Sequence, residues 1–269
     1  MSRYQQMFER TKKQGRGAIV PFLMIGDPCF EESLQWADHL IAEGADALEI
    51  GMPFSDPVAD GPVIQAAAIR AFNAGITPKR CFEFIQILRN KYPELPLGLL
   101  SYANLAVSNG LDCFYQSAQQ AGLDSILLAD IPSHACQAFL DVADKYQIQQ
   151  ILIAPPNASV ERLQQIAQKT KGYTYVVSRS GVTGHQNDAG FPHHIIQTLH
   201  EFESPPCLLG FGIGSRQDVQ QALAAGCAGA ICGSALVKLI EVEDKDKRYY
   251  QASMLMTDLC LGLELTSAN

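Results

Sequence analysis

The chain has 269 residues, 47% of them hydrophobic, which is enough for one large core and compatible with one α/β barrel or two smaller domains. Its net charge of -8 and lack of any basic cluster exclude a nucleic-acid surface, so a phosphate would have to be held by backbone N–H groups. The opening MSRYQQMFERTKKQGRG is too polar for a signal peptide, and no run approaches the roughly 18 apolar residues of a membrane span; the expectation is a soluble, cytoplasmic protein without membrane contact.

Residues 4–13 have amphipathic helical spacing, which Gly15 and Gly17 end. From there strand and helix alternate. Apolar runs predict strands at 18–25, 45–50, 97–101, 125–130, 150–154, 173–178, 207–212 and 228–233. Helical spacing fills the intervals near 32–43, 63–73, 78–91, 111–121, 133–146, 160–170, 192–202 and 216–225, and a last helix runs from Ala235 towards the C-terminus. Eight strands, each followed by a helix, in roughly 250 residues match an α/β (β/α)8 TIM barrel with an extra N-terminal helix, one catalytic domain over 1–269. A doubly wound open sheet would carry G-x-G-x-x-G after its first strand, where this chain has Met24-Ile25-Gly26-Asp27-Pro28.

The second strand carries the first candidate for chemistry. Alternation puts Leu48 and Ile50 on one face and Ala47, Glu49 and Gly51 on the other, so Glu49 shares its face with very small side chains and has room beside it for a ligand. The loop that follows, stiffened by Pro53, Pro57 and Pro62, adds Asp56 and Asp60. For Asp56, ordinary turn chemistry competes equally with function. In a barrel every strand's carboxyl end meets in one mouth, which brings Glu49 opposite the glycine-rich turns after strands seven (Phe211-Gly212-Ile213-Gly214-Ser215) and eight (Gly233-Ser234-Ala235). Both turns lead into helices, the usual seat of a phosphate in such barrels, and Ser234 either adds a hydroxyl or caps the last helix. Phe22, Leu100, Tyr102, Leu127, Ala129, Ile153 and Tyr175 fall near strand ends and together suit a flat apolar body joined to that phosphate. The loop 179–191 is a candidate lid or an ordinary surface loop.

Several chemistries drop out. No lysine falls at the carboxyl end of a predicted strand, the six histidines form no H-x-x-x-H pattern, and G-x-S-x-G is absent, so a Schiff base, a protein-built metal site and a serine hydrolase are all disfavoured. The eight cysteines make no C-x-x-C pair and read as reduced core residues, with a reactive thiol as the alternative. Two carboxyls in different surroundings remain: Glu49 in an apolar mouth, with a raised pKa, and Asp60 in a polar loop, staying ionised.

The segments PFLMIGDP, ADALEIGMPFSDPVADGPVIQ, GLLSYANL, PPN, SRSGVTG, GFGIGS and GAICGSALVK occur in order across essentially the whole chain, and in this the sequence resembles the tryptophan synthase alpha chain family. LEIGMPFSDPVADGP is the most specific of the matching stretches. The resemblance implies a (β/α)8 barrel that cleaves indole-3-glycerol phosphate to indole and glyceraldehyde 3-phosphate. It implies an alpha2-beta2 heterotetramer with a beta chain that carries pyridoxal phosphate, and no cofactor in this chain. Carried over by motif, Glu49 protonates ring carbon 3 and takes the glycerol hydroxyl proton, while Asp60 bonds the indole N–H. Gly184, Gly212, Gly233 and Ser234 hold the phosphate, Phe22, Leu100, Leu127 and Tyr175 form the indole pocket, and Thr183 ties the closed lid to Asp60. The partner surface includes residues 53–60 and 104–109. Gly214 stands where a serine is common, and His185 to Gly190 depart from the usual lid. A mainly regulatory subunit and a stand-alone lyase of the same fold are the alternatives.

Overall fold

The structure is a computed structural model, and it describes residues 1–177 and 193–264. Its centre is a closed ring of parallel strands: β1 (Ala18–Met24), β2 (Leu48–Gly51), β3 (Leu97–Ser101), β4 (Ser125–Leu128), β5 (Gln149–Ala154), β6 (Thr174–Val177), β7 (Cys207–Gly210) and β8 (Gly229–Cys232), with β8 returning to pair with β1. Strands buried on both faces need no polar alternation, which is why they read as plain apolar runs. The faces alternate as the sequence predicts. Leu48 and Ile50 pack outward into the core between strands and helices, whereas Ala47 belongs to the barrel interior.

The ladder of β2 begins at Leu48, three residues later than predicted, because Asp46 is bent to another task. Its carboxylate accepts from the Ile19 N–H at 3.1 Å and pairs with Arg10 and with both terminal guanidinium nitrogens of Arg16. Arg10 lies on α1 (Arg3–Lys13), whose start is fixed by a reciprocal cap between Ser2 and Gln5. A second acid, the half-buried Asp124, receives Arg3 and Arg89. Held by these pairs, α1 closes the amino end of the barrel, and its Tyr4 and Met7 join Val20, Leu127, Ile151, Tyr173 and Ile231 in the interior. This helix is the barrel's floor.

The helices around the ring are α2 (Phe30–Ala42), α3 (Pro62–Asn73), α4 (Pro78–Lys91), α5 (Ala103–Val107), α6 (Leu111–Ala121), α7 (Gln137–Lys145), α8 (Val160–Lys169), α9 (His193–Glu201), α10 (Arg216–Ala224), α11 (Ser234–Lys238) and α12 (Lys245–Leu261). Two departures have local causes. The helix expected from 133 begins at Gln137, since Pro132 opens a turn in which Ala135 N–H bonds back to its carbonyl. The helix expected to run unbroken from Ala235 stops after Lys238, passes through a 3-10 turn at Leu239–Glu241 and restarts where the Asp244 carboxylate accepts from the Lys247 N–H at 2.9 Å. The one-turn α5 was not expected; Tyr102 precedes it.

Candidate active site

Glu49 lies in β2 in register with Phe22 on one side and Gly98 on the other, so its side chain enters the barrel beside a position with no side chain. It is 3% exposed. Burial pushes its carboxyl up to about 8; a hydrogen bond donated by the Tyr173 hydroxyl to Oε1 at 3.3 Å opposes the rise, and the charge of Asp60 adds to it. Asp60 arrives from the proline-rich loop. Its own burial pushes it up to about 6, opposed by a hydrogen bond from Tyr102. Sequence reasoning expects Asp60, in a polar loop, to stay ionised; at about 6 it is ionised at neutral pH, but burial raises it above the ordinary carboxylate value because the end of the loop folds against the barrel.

Tyr102 is the cause. Its ring stacks on Phe54 with centroids 4.8 Å apart, and its hydroxyl accepts from the Ala59 N–H at 3.2 Å. Asp60 N–H bonds Pro57 O, and Gln65 Nε2 bonds Asp60 O, which closes the loop onto the start of α3. Asp56 remains outside. It is exposed, takes a bond from the Ser55 hydroxyl, and its carbonyl accepts from Val58 N–H, so it does the work of a turn residue.

Glu49 and Asp60 border one cleft. Phe22, Leu100, Ile64, Tyr175, Phe211 and Ile231 give it an apolar wall. The rings of Tyr175 and Phe211 meet edge to face at 6.4 Å. Two glycines make space for this wall, since a Cβ on Gly51 would lie 2.5 Å from the Phe22 ring and one on Gly210 would lie 2.1 Å from the Tyr175 hydroxyl. Burial and the nearby Glu49 hold the Tyr175 hydroxyl well above the usual phenol range, so it stays protonated.

Backbone of the turns after β7 and β8 also borders the cleft. Phe211 and Gly212 both have positive φ, 72° and 78°, which turns the chain sharply after β7, and Gly212, Ile213, Gly233 and Ser234 border the cleft. Ser215 caps α10, and the Asp218 carboxylate that receives its hydroxyl also takes the Gly214 N–H at 3.0 Å. Gly233 occupies the N-cap of α11 and Ser234 is the first residue inside it, so the Ser234 hydroxyl does not cap. Glycine turns leading into two helix starts thus border the apolar cleft.

Of the residues singled out by sequence, Phe22, Glu49, Asp60, Leu100, Tyr175, Gly212, Gly233 and Ser234 come together. Leu127 does not border the cleft: it is 2% exposed and taken up by the barrel interior. Thr183 and Gly184, with the whole 179–191 segment, lie outside the described residues. Gly61, Ile64 and Ile231 were missed as lining residues, as was the role of Tyr173, which reads in sequence as one more core aromatic. Among the described residues no group of three or more His, Cys, Asp or Glu could hold a metal ion, and no helix is long and apolar enough to cross a membrane. All eight cysteines are free; burial pushes the Cys81, Cys207 and Cys232 thiols up to about 12, which removes their nucleophilicity.

The family model described as tryptophan synthase alpha chain matches residues 8–261. The tryptophan synthase alpha chain of Aeromonas hydrophila subsp. hydrophila is 54% identical over 250 residues, 93% of each chain. That of Shewanella oneidensis is 54% identical over 247 residues, 91% of this chain and 89% of the relative. Among solved structures, tryptophan synthase subunit alpha from Legionella pneumophila superposes with a TM-score of 0.86 at 28% identity, over 97% of this chain and 98% of that one. A structure from Aquifex aeolicus gives 0.89 at 30% identity, over 98% and 100%. With the family model covering nearly the whole length and relatives above half identity, the chain belongs to the tryptophan synthase alpha chain family.

Proposed function

We propose that this chain, acting as one catalytic domain, cleaves indole-3-glycerol phosphate to indole and glyceraldehyde 3-phosphate by acid and base work divided between Glu49 and Asp60. One observation carries the reading: two carboxyls with different proton affinities border a single cleft, between an apolar ring wall and a pair of glycine turns suited to phosphate. With values of about 8 and about 6, Glu49 keeps its proton at neutral pH while Asp60 is ionised. Asp60 then accepts the indole N–H and stabilises the positive charge that forms as Glu49 protonates ring carbon 3. The Glu49 carboxylate so produced takes the proton of the neighbouring glycerol hydroxyl. The bond from ring carbon 3 to the glycerol chain breaks, its electron pair returns to the ring, and the aldehyde leaves. No lysine or metal is needed.

Phe22, Leu100 and Tyr175 flank the ring in this reading, and Gly212, Gly233 and Ser234 take the phosphate. A beta chain carrying pyridoxal phosphate receives the indole in an alpha2-beta2 heterotetramer in the cytoplasm, and no cofactor is assigned to this chain. Val58 and Val107, 78% and 46% exposed, stand in the two segments assigned to that partner surface and support it. The test is indole release from indole-3-glycerol phosphate by the parent chain, Glu49→Gln and Asp60→Asn, each with and without a beta chain. Losses of about 10² or more in both variants, with substrate still bound, are expected for the removal of a positioned proton-transfer group. Undiminished release by Glu49→Gln overturns the mechanism.

A further inference from the structure

Tyr4 is buried at the centre of the barrel floor, where leucine would fill space as well, yet its hydroxyl is specifically seated. It lies 2.9 Å from Ser125 Oγ. Its ring packs against that of Tyr173, with centroids 5.3 Å apart and planes inclined by 57°. Tyr173 in turn donates to Glu49 Oε1 at 3.3 Å. The strand register explains how these groups reach one another: Glu49 faces Gly98, and Gly98 faces Ser125. A Cβ on Gly98 would lie 2.8 Å from both the Ser125 and Tyr4 hydroxyl oxygens, so only glycine there leaves the pair its place, one strand away from Glu49.

We infer that Tyr4 is a positioning residue for the proton chemistry of the cleft, with α1 holding the Tyr173 hydroxyl against the Glu49 carboxyl from below. The inference rests on Glu49 being the proton donor. A phenol ring whose hydroxyl makes one long hydrogen bond can swing away from it unless its faces are blocked, and the Tyr4 ring supplies the block. The titratable groups facing Glu49 are Asp60 from the loop after β2, Tyr173 just ahead of β6, Tyr175 within β6, and Tyr4 from α1. Asp124 and Arg89 act on Tyr4 with opposite signs. Burial keeps both Tyr4 and Tyr173 protonated far above the usual phenol range, so Tyr173 remains a donor at every working pH.

The readout is kcat/KM for indole release against pH, measured on the full chain together with a beta chain. At high pH the value falls as Glu49 loses its proton. Tyr173→Phe deprives the carboxylate of a donor and moves that fall upward by about one pH unit, the size of one hydrogen bond to a charged group. Tyr4→Leu is expected to move it the same way, Tyr4→Phe to move it less, and Tyr4→Leu to add nothing in the Tyr173→Phe background. Should Tyr4→Leu fail to fold, Gly98→Ala crowds the same hydroxyls from the strand side and carries the same expectation. A fall that stays at the parent pH in Tyr4→Leu and Gly98→Ala, or a shift that adds to that of Tyr173→Phe, overturns the inference while leaving Glu49 as donor. Full activity in Glu49→Gln removes both together.

Discussion

At the scale of single residues, the site works by withholding water from acids. Glu49 is pushed up to about 8 and Asp60 up to about 6 chiefly by burial, and the window between them is where one is protonated and the other ionised. The kcat/KM of indole release is therefore expected to rise through about pH 6, level near neutrality and fall through about pH 8. A profile flat across that range would remove the division of labour. Glu49 was legible in sequence because an acid inside an apolar strand is conspicuous. Tyr173 was not, because its meaning lies in a hydroxyl whose partner is 124 residues away. Asp60 was found, but its altered proton affinity depends on Tyr102 pinning the loop, a contact over 42 residues that no local pattern announces.

At the scale of elements, the cleft is assembled from ends: the carboxyl end of a strand, the first turn of a helix, the loop between. The strand and helix rhythm was legible because the strands are mostly apolar, and the glycine turns after β7 and β8 were legible because they fall in the two slots where a barrel takes phosphate. The break before α12 was not, since Asp244 reads equally as a solvated helix acid and as a cap. Its carboxylate accepts from the Lys247 N–H and so caps the restart of a 17-residue helix. Asp244→Ala is expected to cost about 1 kcal/mol in denaturant unfolding, with no change in indole release, because α12 lies outside the ring and does not border the cleft. A loss of activity as large as the loss of stability would show that α12 reaches the site.

At the scale of the whole molecule, function and stability pull against each other. Both acids have folded-state values above their ordinary ones, so their contribution is fully favourable only at low pH. It is lost as pH rises, through about 6 for Asp60 and about 8 for Glu49. Glu49→Gln is thus expected to melt at a higher temperature than the parent at about pH 9, where the parent must bury a charge, and at nearly the same temperature at about pH 4. Thermal melts at the two pH values check this; a gain of equal size at both would mean that packing, not charge, is responsible. The closed ring adds a consequence for the making of the protein. Since β1 completes its pairing only with β8, one side of β1 has no partner on a nascent chain until residues 229–232 have left the ribosome, tens of seconds later at ordinary synthesis rates. An apolar strand waiting that long is an invitation to aggregate.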